Sequence, residues 1–109
     1  MKYGLEEPRL ELIRKVLTQH VKISKAVLFG SRARGNFQAG SDIDLAVYHD
    51  GMDSTELNLL RNELDELNII QRIDVVDPAR LDKPDLVLNI NREGIVLYKR
   101  ESGSSPVNS

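Results

Sequence analysis

The chain has 109 residues, of which 40% are hydrophobic, 29% charged and 5% aromatic; this is the make-up of one small globular domain and excludes disordered, collagen-like and coiled-coil classes. Fifteen Lys and Arg stand against 17 Asp and Glu, a net charge of -2, which excludes a general electrostatic pull toward nucleic acid or an anionic membrane. There is no cysteine, and with it go disulfides, thiolate zinc sites and cysteine nucleophiles.

The start of the chain, MKYGLEEPRLELIRKVL, carries acids and a proline where a signal peptide would carry an apolar run. No stretch approaches the roughly 18 apolar residues of a membrane span, so the expected compartment is the cytoplasm. A first helix is expected over Pro8–His20, with Leu10, Ile13, Leu17 and Val21 as its apolar stripe. Lys25–Phe29 then reads as a buried strand stopped by Gly30. Ser31–Ser41 reads as a loop opening with one helical turn, and Asp42–Tyr48 as a second strand whose first residues alternate acid and apolar. A second helix is expected from Asp53 or Ser54, with Leu57, Leu60, Leu64 and Leu67 as a core face. Ile70–Val76 reads as a third strand closed by Asp77-Pro78. A short helix follows over Pro84–Glu93, with Asp82 as its cap, and Ile95–Lys99 is a fourth strand.

The expected fold is therefore α/β (α+β), a small mixed four-stranded sheet flanked by helices, over residues 1–100. Residues 101–109 are expected to be a disordered polar tail. The link between the first two strands is too short for a parallel crossover, so they should be antiparallel. The helix between the second and third permits a parallel pair.

Three acids sit where acids are awkward. Asp42 and Asp44 open an apolar strand, and Asp74 interrupts Ile73-Val75-Val76. Residues i and i+2 of a strand point the same way, about 6.5–7 Å apart, so Asp42 and Asp44 should share a face that Asp74 can join. Gathered carboxylates repel one another, and a divalent cation removes the conflict. Mg²⁺ is commonly held by carboxylates together with substrate phosphates, so a phosphate-bearing ligand is implied too. Gly30-Ser31 supplies the other half: backbone N–H groups free to approach an anion, plus a hydroxyl. Arg32 and Arg34 add cations able to grip phosphate oxygens.

The run from LFGS (Leu28–Ser31) through ten residues to DIDL (Asp42–Leu45), with Asp74 following, resembles the nucleotidyltransferase superfamily of DNA polymerase beta. Within it, GSRARG…SDIDL resembles the minimal nucleotidyltransferase (MNT, MntA-like) group, over roughly residues 10–99. The resemblance implies a palm-like nucleotidyltransferase fold. It implies two Mg²⁺ ions (or Mn²⁺) on Asp42, Asp44 and Asp74, with Asp74 also helping to deprotonate the acceptor hydroxyl. It implies ATP as substrate, held by the Gly30-Ser31 turn, with Arg32 and Arg34 as the further nucleotide-binding residues read above. It further implies AMP transfer to a tyrosine hydroxyl of a HEPN RNase toxin, the chain acting as antitoxin, with no membrane or direct nucleic-acid binding and with homo- or hetero-oligomers allowed.

Plainer readings stand beside these. Asp42 could cap a loop, Asp44 and Asp74 could face solvent on strands, and Arg32 and Arg34 could be solvated charges, with Arg34 bracing the loop. Ser41 is expected to position the Asp42 backbone. His20 and His49 read as surface or helix-end residues. Two other functions compete: a non-catalytic antitoxin acting by association, and an aminoglycoside-type transferase. Intact acids weigh against the first, and the small size weighs against the second. That size also points to a protein partner as the acceptor.

Overall fold

The computed structural model describes residues 2–67 and 69–100; the expected tail over 101–109 lies outside them. The elements are α1 (Glu7–Thr18), β1 (Ile23–Phe29), α2 (Ser31–Arg34), β2 (Ile43–His49), α3 (Ser54–Asp65), β3 (Ile73–Val76), a 3-10 turn (Pro78–Arg80), α4 (Pro84–Glu93) and β4 (Ile95–Lys99). The strands form one sheet in the order β3-β2-β1-β4. β1 runs antiparallel to both β2 and β4, and β2 runs parallel to β3. The expected mixed sheet is thus the observed one, with α3 as the crossover that a parallel neighbour requires.

Alternation along the strands splits the side chains between two faces. Leu28, Ile43, Leu45 and Val47 join Leu10, Ile13 and Leu17 of α1 and Leu57, Leu60 and Leu64 of α3 in the main core. Each such leucine contributes about 1.5–3 kcal/mol by leaving water. The other face holds Val27 and Ala46, register partners across β1 and β2, packed with Ile90 of α4. This second face is the less covered one: Val96 of the edge strand remains exposed.

Local chemistry explains most boundaries. Asp53 caps α3: its carboxylate accepts from the Glu56 N–H while the Glu56 side chain accepts from the Asp53 N–H. Several expected limits shift. Val21 lies beyond α1 and is exposed, so it leaves the stripe. β3 begins only at Ile73, and Ile70 lies before it and is exposed. The cap of α4 is Lys83, without a side-chain bond, and not Asp82. His49 is not a surface residue either. Its Nδ1 accepts from the Met52 N–H, and its Nε2 lies 3.1 Å from Oδ2 of buried Asp77, out of line for a hydrogen bond. His20 follows α1 and pairs with Glu63 of α3.

Candidate active site

β1 ends at Phe29, the register partner of Asp44 on β2. The next residue, Gly30, has φ of +75°, a conformation that L side chains rarely adopt. A Cβ there would also run into the Asp44 carboxylate. Glycine is thus what lets the backbone turn directly over an acid. Ser31 then opens the single turn α2, whose leading N–H groups have no intrahelical partner by construction.

Asp44 and Asp74 are register partners across the parallel β2–β3 pair, so their side chains leave the same face side by side. Ala46, two residues beyond Asp44, lies under α4; the acids occupy the end of the second face. Asp42 departs from the expectation, because β2 begins at Ile43. Asp42 is an exposed residue of the loop just before the strand, held there because the Ile43 N–H donates to the Arg72 carbonyl at 2.8 Å.

Burial raises the Asp44 pKa above its ordinary value. The neighbouring charges of Asp74 and Asp42 raise it further, and Arg34 works against them. Among the described residues no three His, Cys, Asp or Glu side chains form a ready cage for a cation. An open set of repelling carboxylates suits a hard cation that completes its shell with substrate phosphates and water. The half-buried Asp44 facing Asp74 gives such an ion the negative charge it would neutralise. A cavity of about 600 Å³, lined in part by Gly4, Glu6, Phe37 and Gln71, includes none of Asp42, Asp44 and Asp74.

The two arginines separate. Arg34 is half-exposed, lies 3.6 Å from Glu93 of α4, and is close enough to Asp44 to lower its pKa. Arg32 is instead only 1% exposed. Its Nε and Nη2 donate to the Ser41 carbonyl at 3.2 and 2.9 Å, Nη2 also to Ala39 at 3.2 Å, and Nη1 to the Tyr3 carbonyl at 2.9 Å. The structure places Arg32, expected to grip phosphate, inside the fold and apart from the exposed Arg34. Four of the five Arg32 N–H donors engage backbone carbonyls, and the ring of Phe37 stacks on the guanidinium at 5.1 Å. The Ser41 Oγ accepts from the Gln38 N–H at 2.8 Å, a bond within the loop before β2. The spacing of Arg32 gave no sign of this, because the carbonyls that take it up belong to an irregular loop and to the start of the chain.

The family described as Polymerase beta, Nucleotidyltransferase matches residues 11–103. The chain belongs to this nucleotidyltransferase family. It is 35% identical over 99 residues, 82% of its length, to a protein named Protein adenylyltransferase MntA from Aphanizomenon flos-aquae (strain 2012/KM1/D3), of which it spans 65%. A solved structure described as a toxin-antitoxin with AMP-PNP superposes with a TM-score of 0.68 at 27% identity, covering 84% of this chain and 74% of that one. A mutant toxin-antitoxin complex containing MntA superposes with a TM-score of 0.67 at 25% identity over the same shares. The fold expected from the motif is thus the fold of solved nucleotidyltransferase-family neighbours.

Proposed function

We propose that this chain is a Mg²⁺-dependent adenylyltransferase that moves AMP from ATP onto a tyrosine hydroxyl of a HEPN-family toxin, and so acts as a cytoplasmic antitoxin. The observation that carries the reading is the placement of Asp44 beside Asp74, directly under the Gly30-Ser31 turn. The name of the 35% identical relative and the AMP-PNP in a structural neighbour support AMP transfer from ATP.

In this reading Asp42, Asp44 and Asp74 hold two Mg²⁺ ions. Bound there, the cations would offset charge on the phosphates and favour ionisation of the attacking hydroxyl. The Gly30-Ser31 turn offers backbone N–H groups and the Ser31 hydroxyl to the triphosphate. Arg34 exchanges its Glu93 partner for a phosphate oxygen, an exchange with little cost because exposed ion pairs contribute only about 0–1 kcal/mol. The acceptor oxygen bonds to the α-phosphorus as the bond to pyrophosphate breaks, and Asp74 takes the hydroxyl proton. The serine is a ligand and not a nucleophile.

The test uses labelled ATP, Mg²⁺ and a purified HEPN partner, with an Asp42→Ala/Asp44→Ala variant alongside. Label on the partner that is lost in the variant supports the proposal. Neutralisation of the partner by both proteins, with no label on it, would replace catalysis by simple association.

A further inference from the structure

Arg32 is a buried cation that has no carboxylate partner among the described residues, an arrangement that persists only where hydrogen bonds satisfy it. Four carbonyls face it, those of Tyr3, Gln38, Ala39 and Ser41. One N–H of Nε, one of Nη1 and both of Nη2 are engaged. The most tightly held acceptor is the oxygen of the Ser41–Asp42 peptide, which receives two of these charge-assisted bonds. A peptide is planar, so fixing that oxygen fixes the plane from which Asp42 departs. On its other side, Asp42 is followed by Ile43, whose N–H is tied to Arg72. An exposed aspartate thus sits between two pinned peptides.

The far wall of this arrangement is the start of the chain. Lys2 and Leu5 exchange backbone hydrogen bonds at 2.9 and 2.8 Å. The residues between them, Tyr3 and Gly4, have φ of +56° and +75°, the pattern of a type I′ turn. Tyr3 is the sole non-glycine residue with positive φ among the described residues, a conformation that costs about 1–3 kcal/mol. Its carbonyl accepts from Arg32, and the fully buried Leu5 anchors the turn in the core. A Cβ on Gly4 would overlap the Phe37 ring and lie 2.7 Å from Arg32 Nη1.

We propose that Arg32 is a positioning residue that fixes Asp42 at the acid site by gripping the Ser41 carbonyl, and that the Lys2–Leu5 turn is part of this lock. The proposal rests on Asp42 being a cation ligand, as argued above. The start of the chain thereby becomes a support of the site although it contributes no group to it.

The experiment measures the full-length protein. Arg32→Lys keeps the charge but loses the planar fork; Gly4→Ala pushes on the lock from the other wall. For both, Mn²⁺ binding followed by electron paramagnetic resonance should weaken about tenfold or more, the loss usual for a group that orients a metal ligand. Metal-free ATP binding should change less than about twofold, and AMP transfer should fall in kcat with KM for ATP kept. A guanidinium on phosphate would instead raise KM and weaken ATP binding, with Mn²⁺ affinity intact, and that result overturns the proposal. Unchanged Mn²⁺ binding in a folded variant overturns it as well. If neither variant folds, the unmodified protein decides: the Arg32 Nε–H resonance should be protected from exchange and stay in place when metal-free ATP is added, whereas a shift on addition overturns the idea. The Mn²⁺ and resonance measurements do not require AMP transfer, so a failure of the reaction itself is distinguishable from a failure of this lock.

Discussion

Asp44 and Asp74 come from segments separated by an entire helix, yet they are register partners on adjacent parallel strands. Burial of Asp44, and after it the neighbouring charge of Asp74, disfavour the ionised Asp44, so its charge opposes folding when no cation is present. Asp44→Asn should therefore raise the melting temperature of the metal-free protein at pH 7. The raised pKa of Asp44 gives the sign. The folded state binds the proton more tightly than the unfolded state, so the ionic penalty is full above the folded pKa. It fades as pH falls toward the unfolded value of 3.8 and vanishes below it. The melting-temperature gain of the variant in EDTA should shrink along that path. A gain that is constant with pH, or a loss at pH 7, would contradict the account.

Gly30 is required twice, by its φ and by the carboxylate beneath it. Gly30→Ala should destabilise the domain by about 1–3 kcal/mol in urea unfolding. It should also lower AMP transfer by about 100-fold, since a displacement near 1 Å can cost that much. Gly51→Ala, at another positive φ but with nothing within 4 Å of the added Cβ, is the control. It should show strain in stability alone.

Arg34 moderates the acids through charge. Arg34→Ala should push the Asp44 pKa higher still, measurable by carboxyl NMR titration of the metal-free protein. It should also raise KM for ATP about tenfold, the factor that roughly 1.4 kcal/mol represents.

Leu60 is fully buried between α3 and the sheet. Leu60→Ala should cost about 2–5 kcal/mol, read from the midpoint of urea unfolding. Asp53→Ala, which removes the α3 cap, should cost about 0.5–2 kcal/mol. Neither should alter the ATP dependence of the folded fraction.

Much of the fold was legible because its signals are local. The spacing of Leu57, Leu60 and Leu64 marks α3 before any partner is known, and the β4 limits Ile95–Lys99 stand as expected. The acids were legible because charge in an apolar run is unusual. Other features depended on neighbours that sequence does not display. Ile70 resembles strand residues in type, but the pairing with β2 starts only at Ile73 and Ile70 is left exposed. His49 lies inward beside Asp77 from beyond β3, its Nδ1 accepting from the Met52 N–H.

By itself, the sequence determined the helical faces, the antiparallel first pair, the glycine turn after β1 and the three acids of the candidate site. It could do so because each rests on periodicity or fixed spacing over a few residues. Only the tertiary structure decided that Asp74 stands opposite Asp44, since register comes from packing across a crossover. Likewise, only the fold divided two similar arginines. Arg34 remains at the surface beside the acids, and Arg32 is drawn inward because carbonyls from Tyr3, Ala39 and Ser41 converge where its fork can satisfy them.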